Sequence, residues 1–515
     1  MSESSETKAF CWLRTHPRVP ATFFSSVLFG LAAHGMGLFN KLSSHDDIVS
    51  LFELGTTISS GRWMLHVMDW LETGIFGPGH FSLPLTHGLF SILCIAFAAC
   101  LLVELLQIRS LIYCVGLAGI MVTFPAVTGL FGYMYTMPYY MTAMLMTVVS
   151  AWLICRKTPW WAKAASLILG GCAVGVYQAF FPLLVSIPLL YDLMLFSREE
   201  TDLKSFFQLA ALQMLCVVGT MVFYFTVTRF FLAKFGLELN RYMGIDQMES
   251  TSLAVYLQRA GKAYREFFQP ERNVPADIFP MHLFYMSRLM VAADAVLAVR
   301  LAIRIGRNHR GKAAAAVLLL ALMPMACNLI YVMSGTVHGL MTYGQVMQAG
   351  LFVWLADRTE MRRPAIRRII SGAAAGVLGL SCVMYVRYDN QCYLKAVFQQ
   401  QQAVTWFTAL AAQIKSAEGY RDDLPVVFLN QEEISDQSVY QMDELNFILL
   451  TPYDKESTEY LNSYAWRKMM ERWCGFSPAY ANEADYADLP EVKAMPHYPD
   501  DGSMRNRGDV IVVNF

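Results

Sequence analysis

Ser43-Ser44-His45-Asp46-Asp47 stands just after the first long apolar run of the chain, residues 21–39. Adjacent carboxylates where a helix leaves a membrane can take the proton of an acceptor hydroxyl, because close like charges favour proton uptake by one of them. A plainer role is also open: Ser44, His45 or Asp46 can cap a helix that begins near Ile48. Neighbouring side chains on a helix diverge by about 100°, so only one of the two carboxylates can face an acceptor squarely. Asp47 is the preferred base and Asp46 its partner. His45 is a substrate-binding candidate. Together with Asp46 and Asp47 it could hold a loose divalent cation, but no dense ligand cluster and no CxxC argues for a resident metal, and no cofactor is expected.

Fifteen residues after Asp47 comes Arg62, followed by Trp63. A guanidinium can grip a phosphate with two donors, and tryptophan favours the headgroup level, so this pair suits a phosphate at the membrane surface. It suits a snorkelling anchor equally well. Lys262 and Arg265, with Arg241, Arg259 and Arg272, give a later polar segment further phosphate-binding candidates. Asp246, Glu249 and Glu266 are its reserve carboxylates. Tyr177-Gln178 interrupts an apolar run, where a polar side chain faces either a cavity or a neighbouring helix. Tyr133, Tyr135, Tyr139 and Tyr140 read as an interfacial aromatic belt. Asp294 lies in the middle of an apolar run, where it either pairs with Arg288 or Arg300, the preferred reading, or serves as a proton or substrate site.

These residues hang on a chain of 515, of which 55% are hydrophobic and 16% charged, with a mean hydropathy of +0.37. So little charge cannot cover a soluble protein of this size. Candidate spans fall near 21–39, 83–106, 111–130, 138–155, 164–180, 183–196, 206–232, 282–303, 313–333, 339–356 and 369–387. The stretch Ala164–Phe196 is either one tilted helix or two turning near Phe181–Pro182. Lys and Arg collect in alternate loops (Arg156, Lys157, Lys163; Arg198, Lys204; Arg304, Arg307, Arg310, Lys312; Arg358, Arg362, Arg363, Arg367, Arg368), and they share one side only if that stretch crosses twice. The polar first twenty residues lack a convincing cleavage site, so the first run is read as retained. The predicted fold is mainly α: a polytopic membrane protein with about eleven spans over residues 1–387, N-terminus in the cytoplasm, and a small extracytoplasmic α/β domain over 388–515.

Two outer loops, 40–82 and 233–280, interrupt the spans. Within the first, Leu51, Leu54, Ile58, Trp63, Val67 and Trp70 recur at helical spacing and predict an amphipathic helix over Ile48–Leu71 on the membrane surface. The tail carries ten Lys/Arg against twenty Asp/Glu, in contrast to the basic body. Strands are predicted at Val426–Leu429, Phe447–Leu450 and Val510–Val513, with helices near 393–416 and 457–474. Cys392 and Cys474 could form a disulfide in an oxidising compartment, although free thiols are preferred. Basic residues confined to short loops exclude a nucleic-acid partner.

The stretch LSSHDDIVSLFELGTTISSGRWML, the Val176-Tyr177-Gln178 step and the ending VKAMPHYPDDGSMRNRGDVIVVNF together resemble the Gtr-type bacterial O-antigen glucosyltransferase family. The resemblance runs the whole chain in order. It implies a membrane glycosyltransferase of the GT-C class in the bacterial inner membrane. Such an enzyme moves a sugar from a polyprenyl-phosphate donor to a surface polysaccharide or lipid-linked glycan. It would work beside a donor-making synthase and a flippase. The implied catalytic carboxylate lies in the first outer loop, where Asp46 and Asp47 fall, and a single inverting displacement needs no covalent intermediate. Two other readings are a transporter or flippase of a lipid-linked sugar, which would be expected to show two matched halves, and a non-catalytic membrane scaffold.

Overall fold

A computed structural model describes residues 16–54, 58–77, 79–197, 202–240, 252–268, 281–334, 337–358, 364–431 and 459–515. Asp246, Glu249, Arg241, Arg272 and the strand expected at Phe447–Leu450 lie outside these residues. The chain is mainly helical. Its helices are α1 (Arg18–Phe39), α2 (His45–Val49), α3 (Trp63–Phe76), α4 (Pro84–Leu106), α5 (Leu111–Thr123), α6 (Pro125–Phe131), α7 (Met137–Cys155), α8 (Trp160–Val176), α9 (Phe181–Phe196) and α10 (Leu203–Phe235). There follow α11 (Leu253–Phe268), α12 (Met281–Asn308), α13 (Arg310–Cys327), α14 (Ile330–Met333), α15 (Val346–Asp357), α16 (Pro364–Ser416), α17 (Glu459–Trp473) and α18 (Pro490–Lys493).

Every predicted span contains helix, though 339–356 is α-helical only from Val346, and seven helices among the described residues are long and apolar enough to cross a membrane, or eight if α5 and α6 count as one. The rest fall short for definite reasons. α8 has 17 residues. α12 carries Arg288, Asp294, Arg300 and Arg304, and α15 has 12 residues, a rise of about 18 Å. Pro125, which has no N–H to donate, separates α5 from α6 at a 40° bend. The stretch Ala164–Phe196 is two helices. The break lies at Tyr177, which is extended (φ −152°, ψ 109°), and the helix resumes at Phe181 with Pro182 in its first turn.

The single amphipathic helix expected over Ile48–Leu71 does not form. α2 stops at Val49, a 3-10 turn covers Ile58–Ser60, and α3 begins at Trp63. Gly61 takes a φ of +72°, which no helix interior accommodates. Of the apolar residues whose spacing suggested a membrane face, Leu54, Ile58 and Trp63 are buried inside the protein, Leu51 and Val67 are half-buried, and Trp70 is exposed.

α16 runs unbroken for 53 residues, about 80 Å, so residue 388 lies inside one helix. Its far end packs into a small α/β unit. Strand β1 (Val426–Leu429) pairs parallel with β3 (Ile511–Asn514), which pairs antiparallel with β2 (Met504–Asn506). β2 has no hydrophobic pattern to announce it. Around β1 and β3, Phe407, Leu410, Phe428, Trp466, Met469 and Val513 form a core from which water is excluded. Ile48 of α2 belongs to this same core although it precedes it by hundreds of residues. Cys392 is buried in the helical bundle and Cys474 touches Thr408, and both are free thiols.

Candidate active site

The loop after α1 is organised around Asp47, which is fully buried. Its Oδ2 accepts from Lys41 Nζ and from Ser43 Oγ (2.6 Å). Its Oδ1 accepts from Ser82 Oγ (2.7 Å) and from the backbone N–H of Tyr135 (3.1 Å). Lys41 Nζ donates in turn to Ser82 Oγ at 2.8 Å. Burial depresses the ammonium's pKa, and the Asp47 charge partly offsets this. Ser44 is the N-cap of α2, accepting from the Asp47 N–H at 3.3 Å, so the capping role is real and falls to Ser44. Four donors thus meet the two carboxylate oxygens of Asp47.

Asp46 is the open one of the pair, with 43% of its side chain exposed. His45 Nε2 lies 3.3 Å from its Oδ1, and the His45 ring sits 6.4 Å from both Tyr133 and Tyr464. His45 Nδ1 is buried with no hydrogen-bond partner. A one-residue step along α2 thus separates a carboxylate that fastens the loop from one that meets solvent.

Arg62 immediately precedes α3 and reaches into the bundle. Its Nη1 donates to Tyr140 Oη (3.1 Å), and its guanidinium lies 5.4 Å from the centre of the Tyr177 ring. The rings of Tyr140 and Tyr177 stack 4.4 Å apart at 15°. Gln178 Nε2 donates to Ser60 O (2.9 Å) and to Tyr224 Oη (3.1 Å). Trp63 stacks on Phe231 and lies against Gly175, where a Cβ would stand 2.6 Å from the indole. The Gly61-Arg62-Trp63 and Val176-Tyr177-Gln178 steps, far apart in sequence, are therefore one contact. Trp63 is 4% exposed and is no headgroup anchor. Tyr139 and Tyr140 are buried as well, so the expected belt turns inward.

Tyr135 joins the two groups. Its ring feels both the Asp46 carboxylate and the Arg62 guanidinium; burial first, then Asp46, hold its phenol well above the usual range, with Arg62 opposing. Its carbonyl accepts from His80 Nε2 at 3.1 Å. Beside His80, Glu72 accepts from Tyr139 Oη, and burial raises the pKa of its carboxyl. Lys41, Ser82 and Tyr135 were not singled out as ligands of the carboxylate pair by the sequence. Only the position of Lys41, six residues before Asp47, gave a signal.

Lys262 and Arg265 lie on α11, which packs against α13 and α14, with Lys262 Nζ 5.7 Å from the Tyr331 ring. Glu266 of the same helix is buried. Asp294 does not pair with Arg288 or Arg300: both its oxygens are buried without a hydrogen-bond partner. Six residues along a helix is about 240° of rotation, which turns both arginines to another face. Among the described residues, no group of three His, Cys, Asp or Glu is arranged to hold a metal ion.

The family described as Glucosyl transferase GtrII matches residues 35–349. The chain belongs to this family. The GtrII match covers α2, α3 and the tyrosine-lined contact around Arg62, and it ends before α16 and the α/β unit. No curated protein and no solved structure matches the chain. A GtrII-family chain is a glucosyltransferase with several apolar helices, as its sequence resemblance implied.

Proposed function

We propose that this glucosyltransferase takes glucose from a polyprenyl-phosphate donor and attaches it to a hydroxyl of a surface polysaccharide such as O-antigen. The reaction takes place on the outer face of a bacterial inner membrane. The chain crosses eleven times with its N-terminus in the cytoplasm and its C-terminal unit outside. One observation carries the reading: Asp46 is the carboxylate of the pair that meets solvent, on the loop that leads to Arg62, whose guanidinium is held by Tyr140 and Tyr177. A base for the acceptor hydroxyl and a guanidinium for the phosphate are what a displacement at a lipid-linked phosphosugar requires.

Asp46 is the base, and His45 Nε2 orients it. The acceptor oxygen forms a bond to the anomeric carbon as its proton passes to Asp46. The bond from that carbon to the phosphate oxygen breaks, its electron pair leaves on the lipid phosphate, and configuration inverts. Arg62, backed by Tyr140 and Tyr177, stabilises the charge that develops on the phosphate. Donor-phosphate contacts from Lys262 and Arg265 of α11 belong to the headgroup region rather than to the reacting centre. Asp47 fastens the loop.

The test is transfer of labelled glucose from polyprenyl-phosphate glucose to polysaccharide of the host strain by purified protein in detergent. Asp46→Asn keeps the shape of the side chain and removes its basicity, so the rate should fall roughly a hundredfold or more. Asp46→Asn turning over like wild type would remove the base from this reading. A host lacking the gene should also lose one hexose from its surface glycan by mass spectrometry. An unchanged glycan would leave transport or a scaffold role in its place.

A further inference from the structure

The helix that carries Asp46 is five residues long, too short to persist alone. Its N-terminus is fixed from the bundle: Ser44 caps it, the Ser44 N–H reaches Gly132 O at 3.4 Å, and the four donors hold Asp47. Its C-terminus leaves carbonyls with no helical partner, which need a donor from elsewhere. Arg472, in the last turn of α17, supplies it. The guanidinium donates to Ile48 O and to Val49 O (2.7 Å) and lies 5.2 Å from the Phe52 ring. Between these carbonyls and the cap, the Ile48 side chain is sunk in the core of the C-terminal unit beside Trp466 and Met469. On the same face Tyr464 of α17 stands 6.4 Å from His45, the neighbour of Asp46.

We propose that Arg472 is a positioning residue for the catalytic helix, and that α17, beyond the segment matched by the GtrII family, completes the active site. The inference rests on Asp46 being the base. Two clamps on one turn leave it little freedom: the bundle holds Asp47, and the C-terminal unit holds the two residues that follow. Asp46, on the turn between the Ser44 cap and the Ile48 and Val49 carbonyls, then projects at a fixed angle. Without Arg472 the end of α2 frays, and the carboxylate samples directions that do not meet the acceptor hydroxyl. Misplacement of a reacting group by about 1 Å is enough to cost a large factor in rate.

The experiment uses the full chain in detergent, with polyprenyl-phosphate glucose and host polysaccharide, and compares wild type, Arg472→Ala, Arg472→Lys and Asp46→Asn. Arg472→Ala should lower kcat tenfold or more, with the acceptor KM within about twofold and the melting temperature within a few degrees of wild type. Arg472→Lys keeps a cationic donor near the carbonyls and should recover a substantial part of kcat. A wild-type kcat for Arg472→Ala overturns the proposal. So does a loss expressed in KM, which would make α17 a binding wall, or a loss that tracks a lowered melting temperature and is not recovered by lysine. Asp46→Asn separates the two readings: if it is fully active the base assignment fails, whatever Arg472 does.

Discussion

Lys41 and Asp47 form an ion pair in which the carboxylate is fully buried and the ammonium is one-quarter exposed. The pair ties the exit of α1 to the start of α2, and Ser82 and Tyr135 fasten the same carboxylate to α4 and to the turn before α7. In the proposed mechanism this pair fastens the loop and Asp46 is the base.

Removing one partner of such a pair strands the other. Lys41→Met leaves Asp47 buried without its counter-charge and should cost on the order of 2–4 kcal/mol, less than for a wholly buried pair because Lys41 is partly solvated. Lys41→Met with Asp47→Asn removes both charges and should regain much of that loss. Thermal unfolding of the two purified variants in one detergent decides. A double variant no more stable than Lys41→Met would mean that the pairing is not what holds the loop.

Arg62 is expected to meet the donor phosphate, so its replacement should act on the donor. Arg62→Lys keeps the charge but loses the planar fork and the stacking over Tyr177. The donor KM should rise about tenfold, with the acceptor KM unchanged. A change confined to the acceptor KM would move Arg62 to the other half of the site.

Packing offers an independent check on the same contact. Gly175 lies so close to Trp63 that a Cβ would stand 2.6 Å from its ring. Gly175→Val must push the indole off Phe231 and carry Arg62 with it, so transfer should fall at least tenfold while the helices remain folded by circular dichroism. Activity within twofold of wild type would show that the position of Arg62 does not depend on the Trp63 seat.

Much of this was legible in the sequence, and the reasons for the rest are physical. Long apolar runs in a membrane must satisfy their own backbone groups, so each predicted span contains helix. The carboxylates and the Gly-Arg-Trp and Val-Tyr-Gln steps were visible as residue types in an unusual setting, and their joining needed only the fold. Which carboxylate is open was not legible, because that depends on Ser82 and Tyr135, which arrive from other segments. The helix expected over Ile48–Leu71 failed for a related reason. Helical spacing of Leu54, Ile58 and Trp63 records that they are buried, but it does not say by what: Trp63 is buried by Phe231 and Gly175, which arrive from distant segments. Asp294 shows the limit of pairing by proximity, since i±6 neighbours face apart on a helix.

Glu72 makes a pH prediction. Burial raises its pKa in the folded state, so folding takes up a proton between its unfolded and folded values. The contribution to stability is therefore present at acid pH, below the unfolded value, and is lost as pH rises through the raised one. Melting temperatures of wild type and Glu72→Gln should converge on the acid side and separate, with wild type falling lower, as pH is brought from about 4.5 to 7. Parallel curves across that range would show that Glu72 keeps an ordinary carboxyl.

Topology is tested by where the basic loops lie. Arg304 and Arg307 at the end of α12, with Arg310 and Lys312 at the start of α13, put four cations in one short connection. Lys and Arg in such loops are held on the cytoplasmic side. From that connection to the α/β unit the chain makes three proposed crossings, at α13 with α14, at α15, and at the first part of α16. An odd number puts residue 515 opposite Arg307. A phosphatase reporter, active only outside the cytoplasm, should be active after Phe515 and silent at Arg307, and a cytoplasmic fluorescent reporter should show the reverse. If both positions report the same side, one of the three crossings is absent. The 12-residue α15 is then the first to examine, since at about 18 Å it spans the hydrocarbon core only with the 3-10 turns that precede it.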